Sequence, residues 1–248
     1  MVTRLKDLIA NKSPKTQFDG KTEATSSFHR RYEFIDIIRA TAVILMIFFH
    51  LFYDLAIFGF VRIDFQKDFF WWFLPRVIVT LFLIAMGLSL ELGPKKINTK
   101  KLTIRIIKIG GCALIISLTT FLLFPDNWIY FGTLHCIASC TLLALPFRGR
   151  PKITAFLAGA ILIPLLFDFE WPFFKLNFSS MDYIPTLPWI ALVFIGMALH
   201  HIGFHKLGIP PFKGKKILLT LSQYSLFIYV IHQPILFGLT FLVHKVFR

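Results

Sequence analysis

The stretch that decides the fold is DIIRATAVILMIFFHLFYD, from Asp36 to Asp54. It lies inside an apolar run from Phe34 to Phe60 that is long enough to cross a bilayer as a helix. Four ionisable residues interrupt it: Asp36, Arg39, His50 and Asp54. At ~100° per residue, the step from Arg39 to His50 is close to three full turns, so both side chains share one face roughly 16 Å apart along the axis. Asp36 and Asp54 fall near the same stripe, three residues before Arg39 and four after His50. Ionisable groups at membrane depth are costly and generally face a protein interior or a water-filled path. The stripe is therefore a candidate functional site. The bland alternative is a buried charge network that only fixes helix packing.

Composition sets the surroundings. The 248-residue chain is 56% hydrophobic and 16% charged, with mean hydropathy +0.69, which argues against a soluble domain. Thirty Phe and five Trp suit lipid-facing surfaces and interfacial belts. The net charge of +14 does not point to nucleic acid, because the basic residues sit between apolar runs, as topology signals do. Cys112, Cys136 and Cys140 lie within apolar runs, lack metal-site or disulfide spacing, and read as small packing residues.

Seven apolar runs predict an all-α, polytopic membrane bundle of about seven transmembrane helices: 34–60, 70–92, 102–124, 128–147, 152–169, 184–204 and 216–244. Pro234 is expected to kink the last of these. Residues 1–33 read as a basic cytosolic tail with seven Lys/Arg, and residues 34–248 as one transmembrane domain. Lys95, Lys96, Lys100 and Lys101, then Arg148, Arg150 and Lys152, then Lys206, Lys213, Lys215 and Lys216 fill alternate loops. The intervening loops hold only Arg62 and Lys67, and Lys175. The positive-inside rule places the N-terminus in the cytosol and the C-terminus outside a plasma or inner membrane. The acidic, aromatic loop from Asp168 to Ile184 is then external, a candidate lid or acceptor platform.

Depth along the spans follows from ~1.5 Å of rise per residue. His50 and His232 lie roughly 24 Å from the cytosolic face and His135 roughly 18 Å, so three histidines are expected to share a layer. Asp54 sits one turn above His50, and Asp182 is expected to cap the outer entrance of the sixth span. Arg39, Arg105 and Lys108 form a second, cationic layer within roughly 10 Å of the cytosol. Arg76 falls outside this pattern, in the outer half of the second span. Histidine suits acid–base work near neutral pH, and arginine suits phosphates. The plain alternative for the cations is snorkelling to headgroups. His200, His201 and His205 have the look of a metal tract without a carboxylate or Cys partner, and no metal is expected. His244 reads as interfacial and His29 as part of the tail. Gly87, Gly110 and Gly111 read as marks of close helix packing.

Arg39, ten intervening residues and His50 resemble the signature of membrane acyltransferases of the O-antigen acetylase type, which have more helices. A closer resemblance is to small bacterial relatives of heparan-alpha-glucosaminide N-acetyltransferase, from Glu33 onward. Five stretches carry it jointly: Ile35 to Arg39, His50 to Asp54, Tyr130 to Ile137, Asp182 to Trp189 and Ser225 to Pro234. The resemblance implies acetyl transfer across the membrane, from cytosolic acetyl-CoA as acyl donor to an extracytoplasmic sugar or glycan. His50 matches the catalytic histidine of the first span, as base or acetyl carrier, with Asp54, Asp36 or another carboxylate orienting it. His135 and His232 are further catalytic candidates. Arg39, Arg105 and Lys108 are the candidate acetyl-CoA ligands. Asp182, Trp189, Tyr229 and Gln233 are the candidate acceptor-binding residues. Heparan sulfate itself is not carried over, since the lysosomal enzyme has a lumenal domain and further helices. A homodimer is compatible with this reading. Two other readings stand beside it: a proton-coupled transporter, which would also place His and Asp at mid-membrane, and a non-catalytic protein of envelope assembly.

Overall fold

A computed structural model describes residues 32–94, 98–172 and 176–247. The basic tail to residue 31, His29, Lys95, Lys96 and Lys175 lie outside the described residues. Eight α-helices are described: α1 (Glu33–Ile57), α2 (Phe69–Glu91), α3 (Thr99–Leu123), α4 (Thr133–Ala144), α5 (Pro151–Leu162), α6 (Thr186–His201), α7 (Lys215–Gln223) and α8 (Ser225–Phe247). Short 3₁₀ segments extend α4 (Leu145–Phe147) and α5 (Ile163–Phe167).

Four helices, α1, α2, α3 and α8, are long and apolar enough to cross a membrane. At 1.5 Å per residue each spans roughly 35 Å, against a hydrocarbon core of about 30 Å. The other three predicted spans form shorter apolar helices. Each is shortened by a specific residue. The run 128–147 becomes helical only at Thr133, because Gly132 is extended and Phe131 pairs in parallel with Tyr183. Pro164 has no amide to continue α5, which tightens into a 3₁₀ turn. The run 184–204 starts helical only at Thr186, after an extended Pro185.

The last predicted span needs correction. It is two helices, separated at Tyr224. Helix α8 runs on through Pro234. The break lets the short α7, with Lys215, Lys216 and Gln223, leave the line of α8 while Ser222 turns back onto α1.

Apolar burial drives association weakly in lipid, where the surroundings are equally apolar, so close backbone approach matters more. The α2–α6 contact illustrates this. A Cβ on Gly87 would run into the Val193 carbonyl, and one on Gly196 into the Ile84 carbonyl. Leu83, Met86, Ala191, Val193 and Met197 fill the seam around them. Gly87 thus has the packing role read from the sequence, whereas Gly110 and Gly111 face open space. The outward faces of α3 and α8 expose Ile107, Leu114, Leu122, Phe227 and Leu239, as lipid-facing helices do. Arg76 reaches back over the Trp72 ring, 3.6 Å from its centroid, and donates to the Trp72 carbonyl.

Candidate functional site

The stripe on α1 meets two different partner sets, one at each end. At the inner end Arg39 and Asp36 form a knot with residues from α2 and α7. Arg39 donates to Ser89 Oγ at 3.0 Å and to Ser222 Oγ at 3.2 Å. Ser222 donates to Asp36 Oδ1 at 2.7 Å, and the Arg39–Asp36 pair closes the ring at 3.4 Å. Sequence reasoning missed Ser89 and Ser222, since nothing distinguishes a serine beside an arginine until the helices are assembled. Asp36 is committed here, about four turns from His50, so it does not orient that ring.

The knot aims Arg39 at a cavity of about 430 Å³. Arg39, Lys101, Arg105 and Lys108 line it on one side, and Phe82, Met86, Leu134, Ile137 and Tyr229 on the other. All three cations singled out from the sequence therefore meet in one space. Lys101, expected just outside the membrane, joins them. Ser225, the first residue of α8, also lines the cavity, and a helix N-terminus favours negative charge. Four cations over an apolar floor can hold a phosphate-bearing molecule with an apolar arm.

At the outer end α1 packs on α8. The His50 and His232 rings meet edge to face, with centroids 4.8 Å apart. His232 Nδ1 lies 2.8 Å from the Tyr229 carbonyl and 3.2 Å from the Ile228 carbonyl. A carbonyl only accepts, so Nδ1 carries the hydrogen and, in the neutral ring, Nε2 keeps a bare lone pair. That Nε2 and His50 Nδ1 are both buried without a hydrogen-bond partner. Asp54 is fully buried and accepts from Gln233 Nε2 at 2.8 Å. Asp54 Oδ2 and Gln233 Oε1 are likewise buried and unpartnered. Asp54 thus holds Gln233 rather than the His50 ring.

The third histidine does not join this pair. His135 accepts from the Gly132 amide at its Nδ1, which leaves Nε2–H to face Ser117 Oγ at 3.3 Å. Ser117 in turn donates to the Ile129 carbonyl. One ring nitrogen caps α4 and the other meets Ser117 on α3, and the ring contact described for His135 is with Phe131. The sequence offered three histidines for one layer, but not which way each helix turns its histidine.

Asp182 also caps α4, not the sixth span. Its Oδ2 accepts from the Thr133 amide at 2.8 Å and the Thr133 hydroxyl at 3.1 Å. Gly132 leaves the room, since a Cβ there would strike Asp182. Burial pushes the Asp182 carboxyl above its usual range, and the two Thr133 bonds pull the other way. Trp189 packs against the core shared by α2, α4, α5 and α6. Tyr229 bridges the two ends: it lines the cationic cavity, and its ring lies 5.8 Å from His232 and 6.3 Å from Phe82. His200, His201 and His205 are used in packing. His200 stacks on His205 at 3.9 Å, and His201 pairs with Glu91 at 3.5 Å.

Long apolar helices around a cation-lined cavity and a buried histidine pair define an all-helical protein of the membrane type. The sequence matches the family described as heparan-alpha-glucosaminide N-acetyltransferase, catalytic, over residues 31–234, and the chain belongs to that family. The match takes in α1 to α7 and the first part of α8, including both ends of the stripe. No curated protein and no solved structure matches the chain. Membership carries acetyltransferase activity and, for the family in general, acetyl-CoA as donor.

Proposed function

We propose that this protein carries acetyl groups across a plasma or inner membrane, from cytosolic acetyl-CoA to a sugar or glycan acceptor on the opposite face. The observation that carries the proposal is the continuity of the two sites. The cationic cavity is walled by Tyr229, Tyr229 touches His232, and His232 touches His50. Arg39, Lys101, Arg105 and Lys108 would bind the CoA phosphates by charge-assisted hydrogen bonds. The pantetheine arm would lie over Phe82 and Tyr229 and bring the thioester to the histidine pair.

His50 is the reacting side chain in this reading. It either takes the proton of the acceptor hydroxyl or amine, or first carries the acetyl group itself. Asp54, one turn beyond His50, and Gln233, next to His232, face the acceptor. Seven crossings with the N-terminus inside remain the topology that the loop charges favour, and α4, α5 and α6 would then cross as short helices with their flanking loops.

Proton-coupled transport is the competing reading, favoured by the buried Asp54 beside two histidines. Purified protein in lipid nanodiscs separates the two. Acetyl transfer requires saturable acetyl-CoA binding and passage of a labelled acetyl group to an added amino sugar. Absence of acetyl-CoA binding would remove the enzyme reading.

A further inference from the structure

We infer that His232 is the proton store of the reaction: its Nε2 takes the proton from His50 and returns it to the departing sulfur. The inference rests on the acetyl-transfer reading above and assigns His232 a task distinct from acceptor positioning.

The reaction needs such a group. As the acceptor X–H attacks, the X–H bond breaks and its proton goes to His50. A bond forms from X to the acetyl carbon, the C–S bond breaks, and its electron pair leaves on sulfur. The proton passes from His50 to His232 Nε2 and then to the thiolate. The sum is R–XH plus acetyl–S–CoA giving R–X–acetyl plus HS–CoA. The same transfer serves if His50 is acylated first, because its own N–H proton must then leave the ring while it carries the acetyl group.

Three features suit His232 to this task. The Tyr229 and Ile228 carbonyls hold its Nδ1–H, at 2.8 and 3.2 Å, so the neutral ring presents a lone pair at Nε2. The same carbonyls stabilise the ring once it is charged, in the way an acceptor behind a catalytic imidazole does. Nε2 is buried and unpartnered, and the adjoining ring is His50, whose Nδ1 is also unpartnered. Tyr229, which supplies one carbonyl, also lines the cation cavity, so the store stands between the base and the place where the sulfur would arrive.

The experiment uses the full-length protein in nanodiscs, acetyl-CoA, and D-glucosamine as the probe acceptor, with released CoA thiol as the signal. His232→Gln keeps a hydrogen-bonding side chain that takes up no proton at neutral pH. It should bind acetyl-CoA like the wild type and keep its KM, while kcat falls on the order of 10²-fold or more. His232→Ala should behave likewise and recover part of its kcat when imidazole is added, a rescue that a packing role would not give. Unchanged kcat in His232→Gln, in a preparation where the wild type turns over, would overturn the proton store and leave acetyl transfer standing. A wild type that binds no acetyl-CoA would overturn both.

Discussion

Gln233 on α8 donates its amide hydrogen to Asp54 on α1 at 2.8 Å, across 179 residues of sequence. The bond fixes the orientation of the Gln233 amide and turns its carbonyl oxygen away from Asp54. One acceptor atom on each residue is thereby left buried and unpartnered beside the histidine pair. The pair is also the outer clasp between α1 and α8.

Asp54→Asn should keep the clasp, since an amide oxygen still accepts from Gln233. It should reduce acetyl transfer by less than His50→Ala does. Asp54→Ala leaves the Gln233 amide unpaired and should lower stability by about 1–3 kcal/mol. Thermal unfolding in detergent and acetyl transfer measured on the same preparations check both statements.

His50→Ala should fold, insert and bind acetyl-CoA, yet lose acetyl transfer on the order of 10²–10⁴-fold. Binding measured beside turnover tests this. An active His50→Ala protein would move the reacting group elsewhere.

Arg105→Ala removes a cavity cation without breaking the Arg39–Asp36–Ser222 knot. Acetyl-CoA affinity should fall, and the loss should shrink at high salt, where the wild type is already screened. Arg39→Ala should lose affinity and stability together, because Asp36 would keep a buried carboxylate with Ser222 as its remaining partner in the knot. Calorimetry at two ionic strengths separates the two variants.

Gly87→Val forces a side chain into the Val193 carbonyl and should destabilise the protein by about 1–3 kcal/mol or more. Gly110→Ala meets open space inside α3 and should stabilise by up to about 1 kcal/mol. Opposite shifts in Tm would bear out the contrast. A harmless Gly87→Val would mean that α2 and α6 pack more loosely than described.

Asp182 supplies a pH test. Its folded value is raised by burial, so the ionised form is the less favoured one in the folded protein. The stability of the wild type relative to Asp182→Asn should therefore rise as pH falls through that raised value toward the ordinary aspartate range. A relative loss on acidification would show that the Thr133 bonds outweigh burial.

The primary sequence determined the class of this protein and the face on which its first helix carries charge. Apolar runs report helices in lipid because each backbone must satisfy its own hydrogen bonds there. The eleven-residue step from Arg39 to His50 reports a shared face because helical periodicity is local. Counting residues along the helices also groups Arg39, Arg105 and Lys108, and the three line one cavity. Tertiary structure decided what such counting cannot. Rotation of each helix about its axis brought His232, and not His135, to His50, and the loop before α6 carried Asp182 to the start of α4. The roles of Ser89 and Ser222 depend on partners tens to hundreds of residues away. Those choices come from packing between helices, where a hydroxyl or a glycine matters by what faces it rather than by its place in the chain.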